Sequence, residues 1–246
     1  MLKRLQILFV FLLLPFVSMA QVTVTGQITS DTYWTADTEY ILDGIVYVTN
    51  GASLYIEAGT VIKAEDGQDV DATALVITRG SKIFAEGTAS NPIIFTSIND
   101  DGSLTKDDTG EWGGVIILGK SITNNDTEKL VEGLNQIETD PALAGYGGTD
   151  PMDNSGVMRY VSIRYSGVNV GQDSGNEIQG LTLGAVGAGT TLEYIESYAS
   201  KDDGYEFFGG TVNSKYMIAA YVEDDGFDWD QGFSGKGQFW FVIQDT

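Results

Sequence analysis

The sequence predicts an all-β chain wound as a parallel β-solenoid, on three observations. The phrase "KDDGYEFFGG" at Lys201 to Gly210 returns 22 residues later as "EDDGFDWDQG" at Glu223 to Gly232. Earlier, "LYIEAGTVIKAE" at Leu54 to Glu65 returns 21 residues later as "LVITRGSKIFAE" at Leu75 to Glu86. Between such units the chain is made of short runs of Val, Ile, Tyr and Phe, punctuated by its 31 glycines and by Asn and Asp, with only 4 prolines and little helix-period patterning. A fixed period near 21–22 residues fits a rung of three short strands and their turns. One rung cannot bury its own apolar face, so the rungs must stack. Leucine-rich repeats share the period but need a Leu/Asn signature and a helical side, which are missing here.

The first element, residues 1–20, reads as a secretory signal. Lys3 and Arg4 precede an apolar run from Leu5 to Val17, and Ser18-Met19-Ala20 offers small residues for cleavage after Ala20. The run is short for a membrane span, which takes about 20 apolar residues. The mature chain is therefore expected to be secreted or held at the cell surface, with no membrane span after cleavage. Residues 21–246 are expected to form one β-helix domain, in which 21–45 pair with and cap the first rung. "NPIIFTS" from Asn91 and "WGGVIILG" from Trp112 are further strands. Two polar, Gly/Asp/Asn-rich stretches, Asn99 to Glu111 and Asn124 to Ser155, are expected to project from the stack as loops. Beyond them "RYVSIRYSG" at Arg159, "EYIESYASK" at Glu193 and "KYMIAAYVE" at Lys215 align. The alignment puts Val161, Ile195, Met217 and Phe239 in one inward column and Ile163, Ser197, Ala219 and Phe241 in another. Tyr205 over Phe227 and Phe207 over Trp229 form an inward aromatic stack, and Tyr160, Tyr194 and Tyr216 an outward one. That outward ladder suits either sheet packing or stacking on sugar rings. The chain is expected to be truncated at its C-terminus, since "GQFWFVIQDT" ends on an apolar strand.

Composition restricts the chemistry. There is no cysteine and no histidine, so disulfides, thiolate sites and imidazole bases are excluded. A formal net charge of −22 argues against nucleic acid as a partner. Any metal should be a hard, oxygen-preferring cation. In the duplicated phrase, inward aromatics turn Glu206 and Asp228 outward, one above the other, with Asp202 over Asp224, Asp230 beside them, and Asp203 and Asp225 at the glycine turns. Rungs about 4.8 Å apart would make these pairs repel by roughly 3 kcal/mol at an effective dielectric near 20. A bridging cation relieves that repulsion. Asp202, Asp203, Glu206, Asp224, Asp225, Asp228 and Asp230 are accordingly the candidate ligands of a Ca²⁺ ion. The same acids would be solvated turn residues if the repeat carried no ligand, Asp-Gly being ordinary turn chemistry.

Four long stretches, "GEWGGVIILGKSITN", "DNSGVMRYVSIRYSG", "NEIQGLTLGAVGAGTTLEYIESYASKDDGYEFFGGTVN" and "EDDGFDWDQGFSGKGQFWFVIQD", resemble a group of secreted proteins of Gram-negative bacteria. The resemblance implies a right-handed parallel β-helix of the pectate-lyase-like superfold from about Ile41 onward, and little about activity. The paired acids are also similar to the Asp cluster of polygalacturonase-like hydrolases, which would make Asp202, Asp203, Asp224 and Asp225 catalytic. This chain lacks that family's Gly-His-Gly and Arg-x-Lys motifs, and has only Lys201, Lys215 and Lys236 near the acids as bases for a lyase. The expected function is a non-enzymatic secreted or cell-surface scaffold with a Ca²⁺-holding acidic face, whose partner would be a polysaccharide or cell-surface glycan. A carbohydrate-active hydrolase or lyase is the alternative.

Overall fold

A computed structural model describes residues 20–125, 129–171 and 175–244. The segment expected to be a signal, residues 1–20, lies outside the described residues apart from Ala20. The chain is a right-handed parallel β-helix with three walls. The first wall is a seven-stranded parallel sheet: Gln27–Ile28, Ile45–Val48, Ala74–Ile77, Gly114–Leu118, Leu181–Gly184, Tyr205–Phe208 and Asp228–Asp230. An eleven-stranded sheet supplies the other two walls. In the early rungs these walls are separate strands. Thr32–Trp34, Ser53–Ile56 and Lys82–Glu86 pair on the second, and Ala20–Val24, Thr38–Leu42, Val61–Ala64 and Ile93–Ser97 on the third. In the later rungs Gly156–Arg164, Thr191–Tyr198, Asn213–Ala220 and Lys236–Ile243 each run across both walls.

The corner between these two walls explains the difference. In an early rung it is a glycine turn, as at Gly59 (φ 88°). In the later rungs one left-handed residue bends a continuous strand: Tyr160 (φ 49°), Tyr194 (55°), Tyr216 (57°) and Phe239 (61°). These aromatics point outward and stack on one another with centroids 4.4, 4.4 and 4.9 Å apart and planes within 9°. Stacked rings cover each other's faces and show solvent only their edges. The ladder therefore serves packing, and between its members there is no open ring face for a sugar.

Inward columns follow the pleat. Val46, Leu75, Val115, Leu181 and Tyr205 succeed one another up the first wall, and Ile93, Val161, Ile195 and Met217 up the third. All are buried; side chains of this kind contribute about 1.5–3 kcal/mol each. The last rung corrects the alignment. Asn213 pairs with Lys236, 23 residues on, so Trp240 rather than Phe239 follows Met217, and Val242 rather than Phe241 follows Ala219. The extra residue lies after Asp230, because Phe208 still pairs with Asp230 at an interval of 22. Phe239 instead extends the outward ladder. Tyr205 stacks on Phe227 at 4.8 Å as expected. Trp229 pairs with Phe207 along the backbone but is 56% exposed, and the ring lying parallel to Phe207 is Trp240, at 5.6 Å.

Over its described residues the stretch 124–155 does not project. Its described part pairs Lys129–Leu130 with Gly145–Tyr146 and carries a one-turn helix, Pro141–Ala144, capped by the Asp140 side chain. It lays Val131, Leu134, Leu143, Ala144 and Tyr146 on the outer side of the first wall. Together with Tyr47, Val76, Ile116, Leu118 and Phe208 they form a second hydrophobic core. From Ile45–Val48 to Tyr205–Phe208 the first wall is thus buried on both faces. That is why its strands read as unbroken apolar runs, "IVYV", "ALVI" and "GVIIL", rather than alternating ones.

Candidate metal centre

The acidic phrase enters the first wall through Tyr205–Phe208, whose register is Thr182 to Glu206 on one side and Glu206 to Asp228 on the other. Tyr205 and Phe207 fill the interior, so alternation turns Glu206 outward. The roof formed by the insert changes what outward means. Glu206 is only 6% exposed and its Oε2 has no hydrogen-bond partner among the described residues. An unpaired carboxylate oxygen in a buried position is costly unless it holds a proton or meets a cation. Burial pushes the Glu206 carboxyl up to about 10, and Glu132, Asp203, Asp228 and Asp230 add to the shift.

Two groups of carboxylates converge here. Asp202, Asp203 and Asp224 each offer an oxygen within 4.8 Å of the other two, and so do Asp203, Glu206 and Asp228. Asp203 belongs to both. It is 7% exposed, and its Oδ1 accepts the Asp225 N–H at 2.9 Å, which fixes its orientation. Burial and then Asp202 raise the Asp203 carboxyl to about 7, and burial raises Asp202 to about 6 against an opposing hydrogen bond from the Asp203 backbone.

The structure thus gathers five of the seven predicted ligands. Asp225 contributes its backbone, since its carbonyl accepts the Gly204 N–H while its side chain is exposed and outside both groups. Asp230 also stands outside them. Its carboxylate accepts from the Gln231 side-chain amide at 2.7 Å, and burial raises it, with that hydrogen bond and then Lys129 opposing. Of the alternative catalytic set, Asp202, Asp203 and Asp224 come together and the Asp225 side chain does not.

Two acids escaped sequence reasoning. Glu132, on the insert, is raised to about 7 by burial and then by Glu177, Asp230 and Asp202. Glu177 lies in the short strand Glu177–Ile178, with its backbone against Gly133: a Cβ on that glycine would sit 2.4 Å from the Glu177 carbonyl oxygen. A cleft of about 410 Å³ between insert and wall is lined by Lys129, Glu132, Tyr146, Phe208 and Gln231. Nothing local marks Glu132 in "LVEGLNQ"; only the folding of the insert over the wall brings it there.

Fold and site together define a parallel β-helix carrying a part-buried cluster of carboxylates at one edge of a roofed wall. Residues 26–246 match the family described as pectate-lyase like beta helix domain, and the chain belongs to that family. No curated protein and no solved structure matches it. Among the described residues no helix is long and apolar enough to cross a membrane.

Proposed function

We propose that this β-helix is a non-enzymatic scaffold, secreted or held at the surface of a Gram-negative cell, whose acidic edge binds Ca²⁺ and through it a polysaccharide or cell-surface glycan. The observation that carries the reading is the buried Glu206 with its unpartnered Oε2, set among the carboxylates of Asp203 and Asp228. Oxygen-only ligands from neighbouring strands suit a hard divalent cation, and the absence of histidine and cysteine leaves no imidazole or thiolate donor. Binding would replace retained protons with the ion, so affinity rises with pH.

The test is thermal unfolding of EDTA-stripped protein with and without CaCl₂. At 100 times Kd the ion contributes about 2.7 kcal/mol, which raises Tm by roughly 5–10 °C for a chain of this size. An unchanged Tm at millimolar Ca²⁺ sinks the reading.

The second reading is a carbohydrate-active enzyme using Asp202, Asp203 and Asp224, the three of the four expected acids that come together. It is favoured by the carboxyls of Asp202 and Asp203, raised to about 6 and about 7, where a general acid works well. It requires reducing or unsaturated ends to be released from a polysaccharide panel, and that activity to vanish in Asp224→Asn.

A further inference from the structure

We propose that the corner joining the third wall to the first is a built site for ordered internal water, held by the hydroxyls of Ser166, Ser197 and Ser200. The site is separate from the acidic edge and stands whether or not a cation binds there. Backbone register places the three serines. Ser197 lies in the inward column Ile163, Ser197, Ala219, Val242. Ser166, Ser200 and Val222 follow one another at the corner, since the Lys201 N–H donates to the Ser166 carbonyl and the Glu223 N–H to the Ser200 carbonyl, at 2.8 and 3.0 Å. All three serines are fully buried, and their Oγ atoms have no hydrogen-bond partner among the described residues. A hydroxyl in that position has given up its bonds to solvent and gained none from the protein.

The glycines of the corner show what these hydroxyls face. A Cβ at Gly180 would stand 2.3 Å from Ser197 Oγ, 2.8 Å from the Gly204 carbonyl oxygen and 3.4 Å from Ser166 Oγ, so three oxygens converge on one point. One rung further on, a Cβ at Gly204 would meet the Gly226 carbonyl oxygen at 2.9 Å, but then Ala219 Cβ at 3.0 Å and Val222 Cγ1 at 3.4 Å. The later corner is closed by carbon and the earlier one by hydroxyl. Ser200 Oγ faces Gly167, approaching its Cβ position to 2.7 Å beside the backbone nitrogens of Lys201 and Asp202.

Water matches this set of groups. It offers two donors and two acceptors, and a serine hydroxyl can give or accept. The Gly204 carbonyl accepts the Leu181 N–H at 3.1 Å and keeps a second lone pair. Internal waters make about three hydrogen bonds to groups that the protein leaves unsatisfied. No carboxylate oxygen is among the nearest atoms at Gly180 or Gly167, so the corner lacks the negative charge that would favour a cation over water.

Ser197→Ala copies the alanine of the next rung and tests the site by the sign of its effect. Loss of a water-bonded hydroxyl should lower Tm by about 2–4 °C, with and without CaCl₂. A Tm that rises or stays the same means that the hydroxyl bonded nothing, and overturns the proposal. A high-resolution crystal structure of the unsubstituted protein decides the matter without relying on a variant. A water peak within hydrogen-bond distance of Ser197 Oγ and of Ser166 Oγ or Ser200 Oγ is expected. A corner without such a peak, or serine hydroxyls turned onto backbone carbonyls, is the overturning result.

Discussion

Glu206 shows how one position acquires chemistry from its surroundings. The residue alternates outward like any strand acid, and only the roof over the wall strips it of water. Its carboxyl and those of Asp203, Glu132 and Asp202 all sit above the ordinary carboxylate range, at about 10, 7, 7 and 6. The folded chain therefore binds more protons than the unfolded one between about pH 4 and pH 10, and stability falls as pH rises through that window. Asp37, Asp101 and Asp108 shift the other way. A Thr35 side-chain bond, a Ser103 side-chain bond and a Thr105 backbone bond respectively hold them low, so they act only near and below pH 4. In EDTA, Tm should drop between pH 5 and pH 8, and Ca²⁺ should flatten the drop. Glu206→Gln keeps the shape without the charge. It should lower Ca²⁺ affinity at least tenfold while making the metal-free protein more stable than the parent at pH 8. A variant that keeps both the affinity and the pH slope would remove Glu206 from the account.

Two elements test the packing. In the aromatic ladder Tyr194 lies between Tyr160 and Tyr216 at 4.4 Å from each, in a left-handed backbone conformation that favours glycine. Tyr194→Ala loses two ring contacts, about 1–3 kcal/mol, and keeps the strain. Tyr194→Gly loses the same contacts and relieves the strain. Urea unfolding should therefore rank glycine above alanine, the reverse of the order inside an ordinary strand; alanine above glycine would mean that the bend costs nothing. The roof is the second case. Leu134 is fully buried in the outer core. Leu134→Ala should cost about 2–5 kcal/mol and weaken Ca²⁺ binding from a distance by letting water reach the Glu206 carboxyl. Unchanged affinity would separate roof from site.

These elements also show what was legible. The rung period and the Glu206–Asp228 register could be read because each is a constant interval along the chain, and the Tyr160–Tyr194–Tyr216 column because the motif around each tyrosine repeats, although its intervals are 34 and 22 residues. The inserted residue after Asp230 could not, since a turn absorbs it without an apolar signature. The roof was legible only in the strands it covers, whose unbroken apolar runs demanded a second partner, while its own polar composition suggested a loop. Glu132 and Glu177 reach the site by tertiary folding alone.

At the scale of the whole molecule the question is whether the acids act one by one or as a field. The chain carries 35 acidic and 13 basic residues, and in a solenoid each rung is stabilised only by itself and its neighbours. Repulsion between rungs is therefore distributed along the axis, and ordinary salt should relieve it. The Debye length falls from about 30 Å at 0.01 M to about 10 Å at 0.1 M, so Tm of the metal-free protein should climb gradually with NaCl and show no saturation at low concentration. Ca²⁺ should instead act in two parts: a saturable step from the edge, at concentrations where screening is negligible, and then the same gradual climb. Glu206→Gln separates the two, because it removes one acid of 35 from the field but a central ligand from the edge. The variant should follow the parent closely along an NaCl series and lose the Ca²⁺ step. If NaCl at matched ionic strength reproduces the entire Ca²⁺ effect in the parent, the acids are a solvated surface, and the duplicated phrase is a record of repetition without a ligand.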